Sequence, residues 1–206
     1  MVNMIITKLE ALDSKRIKVY IDNCFAFVLY KGEIRTYKIR EESNITEEVY
    51  HSIMQEVLPK RAKLRAMNLL TARPYTEVKL RQKLQEGLYP EEIIDLAIDY
   101  VKSYGYVDDY RYAMDYLEYH SQSQNRQQIL QKLKQKGIKG ETLTKVFDDY
   151  FSDGGEIKEL EQIQRILQKK HFSKEMDFEE ISKLKASLYR KGFTIDNISK
   201  AMEAFT

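Results

Sequence analysis

The side chains best placed to do chemistry in this sequence are cations that come in pairs. Lys79 and Lys83, and again Lys132 and Lys136, stand four residues apart, which puts each pair on one helix face beside a stripe of leucines. Arg81, Arg126, Lys134 and Lys139 widen the same patch. Lysine and arginine repeated on helix faces suit the neutralisation of phosphate or of an acidic protein surface, a chemistry with no covalent step. For any single lysine, a solvated face or an ion pair with a nearby glutamate explains the residue equally well. Recurrence in successive segments is what favours binding.

The other reactive side chains do not converge. Asp108 and Asp109 form a carboxylate pair just before a helix, where capping of free amides and the helix dipole explain them without a metal or acid–base role. Cys24 is the sole cysteine, cannot form an internal disulfide, and is expected to be core within the run Cys24 to Tyr30. His51, His120 and His171 are scattered, with no spacing that resembles a zinc site. The chain has no Gly-rich phosphate loop, nucleophile elbow or metalloprotease motif. No catalytic residue, cofactor or metal is therefore assigned, and the chain is expected not to be an enzyme. Tyr112, Tyr116 and Tyr119 share one helix spacing and are expected in helix packing between repeat units, with their hydroxyls at the rim; stacking on single-stranded bases is the lesser reading.

The elements that must carry these residues follow from composition and period. Of 206 residues, 43% are hydrophobic and 32% charged, which excludes disorder, while 8 glycines and 3 prolines are too few for a turn-rich sandwich. Period-two alternation through Ile17, Val19 and Ile21 predicts a small sheet, with turns at Asp13-Ser14-Lys15 and Asp22-Asn23 and a further strand through Ile5, Ile6 and Leu9. From Thr46 onward the period is helical, with Thr46 as a capping residue. Leu58-Pro59 is expected to interrupt the chain and begin a new helix reaching about Thr71.

A repeat of about fifty residues then emerges. Three segments align as Leu80, Leu84, Gly87, Leu88, Ile93, Ala97; Ile129, Leu133, Gly137, Ile138, Leu143, Phe147; and Leu184, Leu188, Gly192, Phe193, Ile198, Met202. Each glycine is expected to end a helix in the left-handed conformation, with the next apolar residue anchoring the turn. The first segment is one residue shorter between its second leucine and its glycine. A further helix precedes each pair, giving a mainly α chain: a β-strand extension over 1–45, then three-helix repeats over 46–107, 108–153 and 154–206. Leu84, Leu133 and Leu188 are expected core.

The net charge of +2 hides alternating blocks. Lys60 to Glu86 holds eight basic and two acidic residues, Gly87 to His120 two and eight, and Ser121 to Lys139 five and none, so cations gather on the middle helices. The third repeat keeps Lys183, Lys185, Arg190 and Lys191, but Ser187 replaces the lysine aligned with Lys83 and Lys132. The second helices open with acids, which disfavours helix-turn-helix reading of a major groove. No apolar run approaches the roughly 20 residues that span a bilayer, and the start lacks a secretory pattern. The expected compartment is the cytoplasm.

The segments Arg73-Pro74-Tyr75-Thr76-Glu77-Val78-Lys79-Leu80-Arg81-Gln82-Lys83-Leu84, Tyr104-Gly105-Tyr106-Val107-Asp108-Asp109-Tyr110-Arg111-Tyr112-Ala113, and Arg126 to Ile138 together resemble the RecX family, bacterial regulators of the RecA recombinase. The resemblance runs from about Lys60 to the carboxyl terminus, with Gly105 to Ala113 its most specific part. Ser121-Gln122-Ser123-Gln124-Asn125 stands where many members carry a loop glycine. The resemblance implies an elongated, curved body of tandem three-helix repeats that acts as a monomeric inhibitor of the RecA filament on single-stranded DNA, modulating ATP hydrolysis and strand exchange. Lys79, Arg81, Lys83, Arg126, Lys132, Lys134, Lys136 and Lys139 would then face the filament or the nucleic acid directly. A stand-alone single-strand-binding protein and a helical protein–protein scaffold are the alternatives.

Overall fold

The computed structural model describes residues 4–121 and 123–205; Gln122, within the loop before the second middle helix, lies outside the described residues, as do residues 1–3 and Thr206. The chain divides into two compact units, Met1–Val107 and Asp108–Thr206. In the first, β1 (Met4–Ala11), β2 (Arg16–Ile21), β3 (Cys24–Tyr30) and the short β4 (Ser43–Ile45) form an antiparallel sheet in the order β3-β2-β1-β4. Asp22 and Asn23 both take positive φ, 49° and 66°, the pair of left-handed residues that a two-residue hairpin favours. At the β1–β2 turn, Asp13 Oδ1 accepts from the amides of Lys15 and Arg16 at 2.9 and 2.8 Å. Those bonds, with the Arg16 guanidinium, lower the Asp13 carboxyl to about 2.

Two features of this unit depart from expectation. Cys24 is exposed, not core, because it begins β3 beside the hairpin turn while the buried stretch of that strand starts at Phe27. The helix expected to break before Pro59 runs on instead. After α2 (Glu47–Ser52), capped by the Thr46 hydroxyl accepting from the Val49 amide at 3.3 Å, comes a π turn over Ile53–Val57 and then α3 (Leu58–Ala72). The Leu58 amide donates to the Ile53 carbonyl five residues back, a wider turn that accommodates a proline ring lacking an amide proton. A short helix, α1 (Lys31–Thr36), links β3 to β4. With α4 (Glu77–Gln85) and α5 (Glu91–Ser103), α3 completes the first three-helix repeat. Sheet and repeat share one core, in which Ile6, Val19, Phe27 and Leu29 join Leu80, Leu84, Ile93 and Ile98.

The second unit holds two further repeats. The first is α6 (Asp109–His120), α7 (Arg126–Gln135) and α8 (Glu141–Tyr150), built around Ala113, Leu117, Ile129 and Leu133. A π turn over Phe151–Gly155 leads into α9 (Glu156–Lys169), α10 (Phe178–Arg190) and α11 (Ile195–Glu203), which enclose Ile163, Leu167, Leu188 and Ile198. Glu159 on α9 is buried and its Oε2 accepts from Asn197 Nδ2 on α11 at 2.7 Å, joining the two helices. Burial pushes the Glu159 carboxyl above its ordinary range.

The turns after the middle helices correct the glycine reading. Gly137 and Gly192 are left-handed, both with φ 96°, but in the first repeat the left-handed residue is Leu88, φ 60°, and not Gly87. Counting from the last buried leucine explains this. The left-handed residue always follows Leu84, Leu133 or Leu188 by four, and the next amide, of Tyr89, Ile138 or Phe193, donates back to that leucine's carbonyl at 3.5, 3.1 and 3.4 Å. The first repeat is one residue short, so its glycine falls one place early. Gly87 has a different constraint: a Cβ there would lie 2.9 Å from the Tyr89 ring and 3.0 Å from the Leu84 carbonyl oxygen. Tyr89, which packs against the core, is therefore the counterpart of Ile138 and Phe193. A left-handed leucine is strained by roughly 1–2 kcal/mol. Leu88→Gly is expected to raise stability by up to about 1 kcal/mol, less the entropy cost of glycine, seen as a higher urea midpoint; a lower midpoint would mean the leucine side chain contributes more than the strain it causes.

Candidate functional site

In the first unit the cations of α4 are largely engaged. Thr76 opens the helix, its hydroxyl accepting from the Lys79 amide at 3.3 Å, and Lys79 Nζ donates to Gln82 at 3.1 Å. Arg81 meets three carboxylates: Glu77 at 3.1 Å, Glu91 at 3.5 Å and Asp95 at 2.6 Å. The acidic start of α5 thus neutralises a cation that sequence spacing offered to a partner. Lys83 pairs with Glu86 at 2.6 Å and lines a cleft of about 410 Å³ with Arg16, Arg61, Arg65, Tyr30 and Tyr89. That cleft is charge-balanced in part, since Arg16 pairs with Asp13 at 2.7 Å and Arg61 with Glu33 at 2.6 Å.

In the second unit α7 presents its cations differently. Asn125 caps the helix by accepting from the Gln128 amide at 2.9 Å, and the Gln128 side chain accepts from the Asn125 amide at 3.2 Å. Arg126 lies over the rings of Phe147 and Phe151, 5.5 and 4.6 Å from their centroids, so its guanidinium covers the core of the repeat. Lys136 donates to the Tyr112 hydroxyl at 3.0 Å and sits over the Tyr112 and Tyr116 rings. Lys132, Lys134 and Lys139 are exposed and have no ion-pair partner among the described residues. Partial burial, followed by the charges of Lys132 and Lys136, holds the His120 imidazole below its usual value.

Other candidate side chains settle as follows. Asp108 caps α6, its Oδ1 accepting from the Arg111 amide at 3.0 Å. Tyr112 and Tyr116 pack against the repeat core, whereas Tyr119, expected with them, is 81% exposed in the last turn of α6, its ring edge-on to that of His120 at 4.9 Å. Tyr104 and Tyr106 are exposed and stacked, 5.8 Å apart with 14° between planes. No helix among the described residues is long and apolar enough to cross a membrane. Sequence spacing missed a second gathering of cations. Arg165 and Lys169 on α9 come together with Arg190 and Lys191 at the end of α10, in a groove of about 580 Å³ whose other wall is α7. Residues far apart in sequence meet there, so no local period announces them.

Successive three-helix repeats, each with its own core and with basic side chains on its outer faces, define a tandem-repeat protein. Sequence models of the RecX first and third three-helix domains match residues 62–100 and 157–202. The chain is 34% identical over 201 residues to the regulatory protein RecX of Caldanaerobacter subterraneus subsp. tengcongensis, covering 97% of this chain and 98% of that one. With the regulatory protein RecX of Clostridioides difficile it shares 28% over 204 residues, 96% of this chain and 94% of the other. Among solved structures, one of a regulatory protein RecX superposes with a TM-score of 0.62 at 21% identity, over 97% of this chain and 99% of that one. The structure of RecX from Lactobacillus salivarius gives 0.61 at 21% identity, over 71% and 96%. The chain belongs to the RecX family.

Proposed function

We propose that this protein restrains the RecA recombinase by binding its filament on single-stranded DNA, lowering ATP hydrolysis and strand exchange. The observation that carries this reading is family membership across nearly the whole chain, with relatives named as regulatory proteins. It acts as a cytoplasmic monomer built of a sheet over 1–45 and repeats over 46–107, 108–153 and 154–206. Lys79, Arg81, Lys83, Arg126, Lys132, Lys134, Lys136 and Lys139 form the surface offered to the filament. Within that set Lys132, Lys134 and Lys139 carry the most, because they enter a new contact without first leaving a carboxylate, whereas Arg81 and Lys83 must be released from theirs.

Recombinase ATPase on single-stranded DNA, measured with and without the protein, tests the reading. Inhibition is expected, and K132E/K134E/K139E should raise the half-inhibitory concentration about tenfold or more, the scale of three charge contacts turned repulsive. Unchanged ATPase with the unmodified protein would end the reading. Full inhibition by the triple variant would move the contact off α7.

A further inference from the structure

Some basic side chains of this chain meet carboxylates at close range: Lys102 meets Glu77 at 2.7 Å, Lys183 meets Glu179 at 2.6 Å, and Lys200 meets Glu156 at 2.6 Å. The groove between the second and third repeats gathers cations without such close partners. Lys169, Arg190 and Lys191 line it without an ion-pair partner among the described residues, and Arg165 has only a loose contact with Glu161 at 3.6 Å. Among the described residues no carboxylate lines the groove. Four cations facing one space repel each other, and folding alone gains nothing from gathering them.

The remaining lining says what kind of anion fits. Gln127 and Gln131 on α7 and Gln162 on α9 supply amides that donate and accept hydrogen bonds. About half of the lining surface is apolar, but two apolar residues alone are among the described lining residues, Phe193, which is buried, and Ile166, which is half-buried; the rest of that surface belongs to the carbon stems of the long polar side chains. A protein-docking groove is centred on aromatic and aliphatic anchors, and this one has none exposed. Arginine, lysine and glutamine with no hydrophobic centre are the residues that hold nucleic-acid backbones. The turn after α10 fixes the arrangement, since Gly192 lies so close to α7 that a Cβ on it would be 2.7 Å from both Asn125 Oδ1 and Gln127 Cβ. Arg190 and Lys191 are thereby held against the glutamine wall.

We propose that this groove binds the phosphodiester backbone of a nucleic-acid strand, independently of sequence, with Arg165, Lys169, Arg190 and Lys191 neutralising phosphates and the glutamines bridging to them. None of these cations belongs to the surface assigned to the filament, and the assignment stands without a recombinase. It is tested on the full chain with fluorescein-labelled oligothymidylate, by anisotropy across a salt series, in the absence of RecA. K169Q/R190Q/K191Q is compared with K15Q/K31Q/K60Q, which removes equal charge from exposed lysines of the first unit, and with the charge-conserving K169R/R190K/K191R. The groove variant should bind about tenfold more weakly, with a salt slope smaller by about two, as expected for three lost contacts to a single strand. The other two variants should stay close to the unmodified chain. Equal losses in both neutralised variants would overturn the groove in favour of general charge, as would failure of the unmodified chain to bind. Displacement by polyglutamate as effective as by unlabelled oligothymidylate would overturn it in favour of an acidic protein segment. Melting curves establish that each variant is folded, and the charge-conserving variant separates loss of charge from loss of packing.

Discussion

Phe27→Ala is expected to cost about 3–5 kcal/mol, and to cost it in the helices as well as in the sheet. Phe27 is fully buried on β3, its ring 6.2 Å from that of Tyr50, in the cluster that also contains Leu80, Leu84, Ile93 and Ile98. Truncating it leaves a cavity walled by both layers, which neither can close alone. Native-state hydrogen exchange reads the outcome: protection of the amides in β2, α3 and α5 should fall together. If α5 kept its protection while β2 lost it, the sheet would be a separately stable appendage and the shared core would be wrong.

Gly192→Ala should cost more than a glycine-to-alanine change at a turn usually does. Its φ of 96° disfavours any side chain, and the new methyl would lie 2.7 Å from Asn125 Oδ1 and from Gln127 Cβ. Backbone strain of roughly 1–2 kcal/mol and overpacking of about 1–3 kcal/mol add to a loss of about 2–5 kcal/mol. Gly105→Ala supplies the internal comparison, since Gly105 is also left-handed at φ 67° but has nothing within 4 Å of the position of a Cβ. It should show the backbone part alone. Equal shifts of the urea midpoint in the two variants would mean that the approach of the third repeat to α7 is not tight.

The repeats were legible in the sequence because Leu80, Leu84, Leu133 and Leu188 recur at helical spacing beside a glycine, and a helix must bury such a stripe. The four-residue lysine pairs were legible for the same geometric reason. What was not legible depends on distance in sequence. Arg81 reads as a free cation until Glu91 and Asp95, one turn of chain away, fold back on it. Arg126 reads as solvated until Phe147 and Phe151 arrive beneath it. The cationic groove joins α7, α9 and the end of α10, and no window of sequence contains all three. Ser43–Ile45 is too short to show a period of two, so β4 escaped notice, and Cys24 was placed inside by its apolar neighbours although it sits at the tip of a hairpin. The shift from Gly87 to Leu88 was foreshadowed by the missing residue in the first repeat, yet spacing alone could not say which of the two would turn left-handed.

The wide turn over Ile53–Val57 has a consequence for how this chain tolerates change in length. It holds one residue more than a regular helix would, and each residue rotates a helix by about 100°. Deleting any one of the five would let the ladder close regularly and leave Tyr50 on the same side of the helix, because the wide turn has already absorbed the extra residue, but Pro59 would then confront an ordinary turn. Single-residue deletions there should be rescued by replacing Pro59, so that length and proline vary together as one character.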